Sequence, residues 1–295
     1  MTYYLAIDIG GTAIKYGLVT EQGQLLRKEE IPTEASKGGP RILAKVLSLV
    51  ENYHNQVTLA GVAISTAGMV NPERGDIFHS GPQIPNYVGI SFKESIEEQF
   101  NIPCEVENDV NCAGLAEAIS GSAKNTKVAV CLTIGTGIGG CFLLNSQIFH
   151  GSSFSACEVG YMRLANSQFQ ELASTTALIN DVARRHGDQP DDWNGRRIFE
   201  EAKAGNQDCV AAIDQLVDYL CQGIANICYV VNPECVVLGG GIMGQKVYLS
   251  PKINQTLDKY LVPSLSKKTK VVFASHENNA GIMGAFYHFK QRQQV

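Results

Sequence analysis

Apolar residues in this chain come either in short unbroken runs or at helical spacing, and the two kinds alternate. Tyr3-Tyr4-Leu5-Ala6-Ile7-Asp8-Ile9 is a compact run of β-formers and predicts a buried strand. Gly10-Gly11-Thr12 interrupts it, and residues 14–19 resume strand-like, so these glycines predict a β-turn rather than a helix entry. Glu21-Gln22-Gly23-Gln24 predicts the next hairpin turn, with a strand over 25–31. Ile42, Val46, Leu47, Leu49 and Val50 recur at helical spacing and predict a helix from about 39 to 53. A buried strand over 59–64 ends in the small-residue turn Ser65-Thr66-Ala67-Gly68. A tight hairpin at 71–75, a polar loop over 81–86 and a helix over 91–100 follow. A strand over 103–106 then meets Glu107-Asn108-Asp109-Val110-Asn111, and an Ala-rich helix over 112–119 leaves it.

The second half opens in the same way. Residues 128–134 predict a strand, Gly135-Thr136-Gly137-Ile138-Gly139-Gly140 a turn, and 141–144 a second strand. An irregular stretch over 154–164 carries Glu158. Helices are predicted over 171–185, 193–203 and 208–231, then a strand over 235–238 ending in Gly239-Gly240-Gly241. A helix over 251–260, a strand over 270–274 and a helix over 279–289 complete the chain. The repeated strand–turn–strand opening predicts a duplicated α/β fold, with mixed sheets that begin as antiparallel hairpins and a cleft between the halves. The domains expected are a small N-terminal one of residues 1–110 plus 279–295 and a large C-terminal one of 111–278.

Composition narrows the class. The chain has 295 residues, 44% hydrophobic and 18% charged, enough for a sizeable core. Its net charge of −5 and the lack of a long basic run argue against nucleic acid as partner. Nine cysteines, an odd number with no C-x-x-C pair, read as free thiols in a reducing compartment. No secretory leader or membrane-spanning run is visible, so a cytoplasmic location is expected.

Candidate chemistry gathers at the turns. Gly10, Gly11 and Thr12 can bring backbone N–H groups and a hydroxyl to an anion, and Lys15 adds positive charge. Asp8 could hold Mg²⁺ through water. An ordinary hairpin with Asp8 satisfied locally is the plain alternative. Gly135-x-Gly137-x-x-Gly140 matches a dinucleotide-binding pattern, and Glu158 falls 18 positions further on (158 − 140). That reading fails because the dinucleotide turn must open a helix, whereas Cys141-Phe142-Leu143-Leu144 is strand-like. A second phosphate cradle mirroring the first fits better. Asn108 and Asp109 stand at a strand-to-helix junction, where α/β proteins place ligands. Asp109 is either a base facing a substrate hydroxyl or, with Asn108, a helix cap. Glu158 could accept two hydrogen bonds from a vicinal diol; alternatively it is a salt-bridged loop acid. The three glycines at 239–241 would let a flat ring approach the backbone, or simply make a sharp turn.

In this order and spacing the motifs resemble the ROK family of sugar kinases, which has the two-domain actin-like ATPase (ribonuclease H-like) fold. They are Asp8-x-Gly10-Gly11-Thr12-x-x-Lys15, Ser65-Thr66-Ala67-Gly68, Glu107-Asn108-Asp109-x-Asn111, Thr133-x-Gly135-Thr136-Gly137-x-Gly139-Gly140, Glu158-x-Gly160 and Gly239-Gly240-Gly241. The resemblance spans nearly the whole chain. It implies an ATP- and Mg²⁺-dependent kinase acting on a hexose hydroxyl, usually the 6-OH, and a homodimer. Carried over, Asp109 is the catalytic base. Gly68, Asn86, Asn108, Glu158 and Glu171 line the sugar site. Asp8, Gly10, Gly11, Thr12, Lys15, Thr133, Gly135, Thr136 and Gly137 hold the phosphates, and Gly239, Gly240 and Gly241 border the adenosine.

Two departures refine the expectation. Where the family usually has a histidine followed by a zinc-binding cysteine loop, this chain has Tyr161 and no cysteine between Cys157 and Cys209. No zinc site is expected, since three thiolates and an imidazole are not available. Tyr161 instead offers an aromatic face to the sugar. The zinc-less pattern, with Asn279-Ala280-Gly281 and Tyr287-His288-Phe289, resembles the branch that phosphorylates β-glucosides such as cellobiose. Residues 62–72 and 149–154 are similar instead to N-acetylmannosamine kinases, although Met69 replaces an arginine found there. The same motifs are compatible with a glucokinase- or fructokinase-type enzyme and with a non-catalytic sugar sensor.

Overall fold

The computed structural model describes residues 2–295. Its contacts divide the chain into two compact units: residues 1–119, 150–156 and 278–295, and residues 120–149 and 157–277. The sequence-based boundary at 110 separates the Ala-rich helix from the first unit, whereas its contacts place it there.

In the first unit, β1 (Tyr3–Ile9), β2 (Ala13–Thr20), β3 (Leu25–Pro32), β4 (Leu59–Thr66) and, after the small hairpin β5 (Met69–Asn71) and β6 (Asp76–His79), β7 (Cys104–Asn108) build a sheet in the order β3-β2-β1-β4-β7. β1 is antiparallel to β2 and parallel to β4, and β4 is parallel to β7. Both faces are covered, which is why β1 reads as an unbroken apolar run. Leu5, Ile7 and Ile9 pack with Ile42, Val46 and Val50 of α1 (Gly39–His54) and with Phe92 and Ile96 of α2 (Phe92–Phe100). Tyr4 and Ala6 point the other way, with Cys112 and Ala116 of α3 (Asp109–Ser120) and the C-terminal residues Ile282, Phe286 and Phe289.

The second unit repeats the plan. β8 (Val128–Ile134), β9 (Ile138–Leu144), β10 (Gln147–Ile148), the small hairpin β11 (Arg163–Leu164) and β12 (Ser167–Gln168), then β13 (Cys235–Gly239) and β14 (Lys270–Phe273) include a sheet ordered β10-β9-β8-β13-β14. Here too the first strand is antiparallel to the second and parallel to the fourth. The expected duplication is therefore present down to strand order and direction. Helices α4 (Phe169–Ala173), α5 (Thr175–His186), α6 (Gly195–Lys203), α7 (Gln207–Val231), α8 (Lys246–Tyr260) and α9 (Pro263–Ser266) belong to this unit; α10 (Ala280–Gln293) returns to the first. Ile213, Leu216, Leu220, Ile224 and Ile227 of α7 bury a helical stripe in the core with Val130, Leu132 and Ile134.

Several boundaries differ from the sequence reading. β4 runs on through Ser65 and Thr66, because both pair with β7. The second glycine turn is only 135–137; Gly139 and Gly140 already pair with β8. The helix expected over 171–185 is two helices, split where Ser174 turns extended and its hydroxyl caps α5 at Ala177 N–H, 3.1 Å away. Pro251 lies inside α8 and does not open it. A 3₁₀ turn over Gly241–Gln245 leads directly into that helix, and one proline forfeits one hydrogen bond without ending it. No disulfide joins any of the nine cysteines among the described residues, and most are buried. No helix among the described residues is long and apolar enough to cross a membrane.

Candidate active site

The junction of β7 and α3 positions Asn108 and Asp109. The helix begins at Asp109, and Asn108 is its cap: Asn108 Oδ1 accepts from the N–H groups of Val110 (2.9 Å) and Asn111 (3.1 Å). The Asn108 amide donates to the Gly68 carbonyl (2.9 Å) and to Asp109 Oδ1 (3.0 Å), which also accepts from Val110 N–H (2.9 Å). The capping alternative is thus true of Asn108, while Asp109, half-buried in the first helical turn, is held where a negative charge is favoured. Tyr87, buried beneath, meets Thr66 Oγ1 at 2.5 Å. Burial pushes its phenol well up, and the nearby Asp109 charge adds to the rise. Asn86, next to it, is exposed with a left-handed φ of 53°.

The first glycine turn lies in the same unit. Gly10 N–H donates to the Ala13 carbonyl (3.0 Å), and Thr33 ties the turn down through Gly10 O (2.6 Å) and Thr12 O (2.9 Å). Lys15 stands opposite Asp8 on the neighbouring strand. Asp8 is half-buried, accepts from Ser65 Oγ (2.7 Å), and packs so tightly on α10 that a Cβ at Gly281 would collide with its carboxylate. Burial raises its pKa against the opposing pull of the Ser65 hydroxyl, Lys15 and Lys28. A half-buried carboxylate beside a glycine turn is of the kind that fits a hydrated Mg²⁺, which is held by one or two carboxylates and substrate phosphates.

The second unit carries the remaining candidates, among them the turn Gly135, Thr136 and Gly137. Gly135 N–H donates to Gly137 O (2.9 Å), and Gly135 O accepts from Thr175 N–H at the start of α5 (2.8 Å). The Gln170 side chain is the close neighbour of both Gly137 and Gly160 and so joins the turn to the loop that carries Glu158. Glu158 is half-buried and Tyr161 half-exposed. Glu171 Oε2 takes the Gln168 N–H (3.1 Å) and the Ser167 hydroxyl, closing a capping box at α4. That engagement lowers its pKa. Thr133 pairs with Gly139 and Gly239 inside the sheet. Gly240, with φ 103°, passes so close to the Ile134 carbonyl that any Cβ would collide.

Gly135, Thr136 and Gly241 open onto a cavity of about 830 Å³, also lined by Thr175, Asn194, Arg196, Phe199, Ile242 and Gln245. Its volume suits a ligand of nucleotide size. Arg197 is committed elsewhere, over the Trp193 ring at 4.2 Å and on the Asp192 carbonyl at 2.5 Å. Arg196 has no hydrogen bond or ion pair among the described residues. Sequence reasoning missed it, along with Asn194, Gln245 and Gln170. The Asn194-Gly195 start of α6 was the one available signal. No group of three or more His, Cys, Asp or Glu side chains able to hold a metal occurs among the described residues.

Duplicated hairpin-led sheets with a glycine turn in each define a protein of actin-like ATPase fold. The chain belongs to the ROK family, whose sequence profile matches residues 4–292. It is 45% identical over 291 residues to an uncharacterized protein of Clostridium perfringens, covering 99% of both chains. It is 31% identical over 296 residues to a β-glucoside kinase of Listeria innocua, covering 98% of this chain and 97% of that one. Among solved structures, a Listeria monocytogenes protein described as a candidate N-acetylmannosamine kinase superposes with a TM-score of 0.89 at 30% identity, covering 99% of each chain. Other relatives include glucokinases, such as one of Halalkalibacterium halodurans that is 26% identical over 322 residues, covering 99% of this chain and 96% of that one.

Proposed function

We propose that the protein phosphorylates the 6-hydroxyl of a β-glucoside such as cellobiose, using ATP. The observation that carries this reading is the Asn108–Asp109 arrangement. A carboxylate is held by a neighbouring amide at the start of a helix, in the same unit as a glycine turn flanked by Asp8 and Lys15. In phosphoryl transfer the protein mainly positions groups and offsets charge. Asp109 accepts the proton of the sugar hydroxyl as that oxygen bonds to the γ-phosphorus and ADP leaves. Gly68, Asn86, Asn108, Glu158, Tyr161 and Glu171 are the residues assigned to the sugar. Gly10, Gly11, Thr12 and Lys15 bind one part of the triphosphate, and Thr133, Gly135, Thr136 and Gly137 another. The cavity beside Gly239, Gly240 and Gly241 takes the adenosine. Asp8 would hold Mg²⁺ through water, which supplies further neutralisation of phosphate charge. No zinc takes part, and the working form is a homodimer.

The disaccharide preference is supported by the likeness to the β-glucoside kinase and by Tyr161, whose exposed ring suits a second sugar face. A second reading, N-acetylmannosamine kinase, is favoured by the superposed structure. Met69, in place of that group's arginine, meets Ser155 Oγ through its sulfur at 3.6 Å. Coupled ADP release with cellobiose, other β-glucosides, glucose and N-acetylmannosamine tests the choice. Cellobiose is expected to give the highest kcat/KM. Preference for N-acetylmannosamine moves the assignment to the second reading, and no turnover of any sugar by folded protein favours a sensor.

A further inference from the structure

Glu107 immediately precedes the Asn108–Asp109 pair, yet its side chain is fully buried, at 0% exposure. Its Oε1 accepts from the Asn108 backbone N–H (2.7 Å) and from Asn111 Nδ2 (3.0 Å). One carboxylate oxygen therefore holds both ends of the first turn of α3. The other oxygen, Oε2, lies 2.5 Å from His150 Nε2, with His288 Nδ1 at 3.7 Å. An isolated buried carboxylate is strongly disfavoured, and this one is offset by two imidazoles and two amide donors. Burial pushes its pKa up, but the His150 hydrogen bond, the charges of His288 and His150 and the Asn111 amide outweigh that and hold it below the ordinary range. Against an ionised carboxylate the His150 nitrogen must donate.

His150 opens the 150–156 segment, which packs with the first unit although the chain on either side belongs to the second. Its carbonyl accepts from Ala156 N–H (3.2 Å), its ring meets the Phe154 ring at 6.3 Å, and Ser155 reaches Met69. Directly after this segment comes Cys157-Glu158. The His150–Glu107 bond is thus a part-buried polar tie between the segment that leads into Glu158 and the turn that presents Asp109.

We propose that His150 is a positioning residue for phosphoryl transfer: by donating to Glu107 it holds the Asn108–Asp109 turn and the 150–156 segment in one arrangement. The proposal rests on the kinase reading, so its test needs one readout that turnover does not enter. His150→Phe keeps the ring and loses the donor, His150→Asn is too short to reach, and His150→Gln keeps a donor at similar reach. The measurements are kcat, sugar KM, and amide hydrogen exchange over 107–111 and 150–156.

With Phe or Asn, kcat is expected to fall about 10–100-fold with sugar KM changed less than about threefold, since small misplacement of reacting groups is costly. Exchange rises in both segments, and Gln returns kcat to within about threefold of the parent. A Phe variant with near-parental kcat, a Gln variant as impaired as Phe, or Phe and Asn variants that do not fold would each overturn it. If the parent protein phosphorylates no sugar, the kinase reading falls and exchange alone decides. Faster exchange at 107–111 in the Phe variant then supports the tie, and unchanged exchange refutes it.

Discussion

Asn108 donates to Asp109 Oδ1 over 3.0 Å while its own carbonyl oxygen caps the helix that Asp109 begins. One side chain thereby sets both the backbone and the carboxylate of the proposed base. Replacing Asp109 by Asn leaves the Asn108 cap in place and removes the carboxylate that would accept the proton. We expect kcat to fall about 10³-fold, with sugar affinity by calorimetry unchanged. Near-parental turnover would reject Asp109 as the base.

Arg196 lines the cavity beside the second glycine turn with its guanidinium uncommitted among the described residues. If that cavity takes the nucleotide, Arg196→Ala should raise the KM for ATP about tenfold, the loss of one charge-assisted contact. Sugar KM should stay as it was. The neighbouring Arg197→Ala, which loses the ring of Trp193 instead, is expected to lower stability with less effect on ATP. Steady-state kinetics in both substrates distinguish the two.

Gly281 is glycine because Asp8 lies against it. Gly281→Ala forces the carboxylate or α10 to move, and overpacking of this kind costs about 1–3 kcal/mol. Urea unfolding should show the loss, and activity should fall further than the stability change explains. A silent substitution would mean that Asp8 can leave its place freely.

Acid should destabilise the protein before its carboxylates titrate. His288 is 3% exposed and its Nε2 has no partner among the described residues. Burial lowers its pKa below 6.5 despite Glu107 and Glu105, with His150 and Arg292 adding to the fall. The folded imidazole therefore binds fewer protons than the unfolded one. Stability is complete above about 6.5 and declines as pH drops from there toward the folded value. Glu107, with its pKa lowered, adds a second loss at more acid pH, below the ordinary 4.5. Unfolding free energy measured from about pH 8 to 5 should fall with acid, and His288→Gln should flatten the upper part. A flat parental profile would contradict this.

Much of the fold was legible because local rules and burial agree. The run from Tyr3 to Ile9 reads as a strand, and its lack of alternation follows from helices on both faces of the sheet. The repeat was legible because a hairpin needs only contiguous residues. Boundaries failed where a distant partner decides them: Ser65 and Thr66 are strand only because β7 pairs with them, and Gly139 and Gly140 only because β8 does.

The same division runs through the candidate site. The sequence by itself determined the residues of the turns and the Asn108–Asp109 junction, since cap, glycine and helix start are neighbours along the chain. Tertiary structure alone decided what stands behind them. The Glu107–His150 contact joins residues 43 apart, and Ser65 reaches Asp8 across 57. Gly281 makes room for that same aspartate from the far end of the chain. Burial is what gives these contacts their force, because a carboxylate withdrawn from water must find its donors wherever the fold brings them.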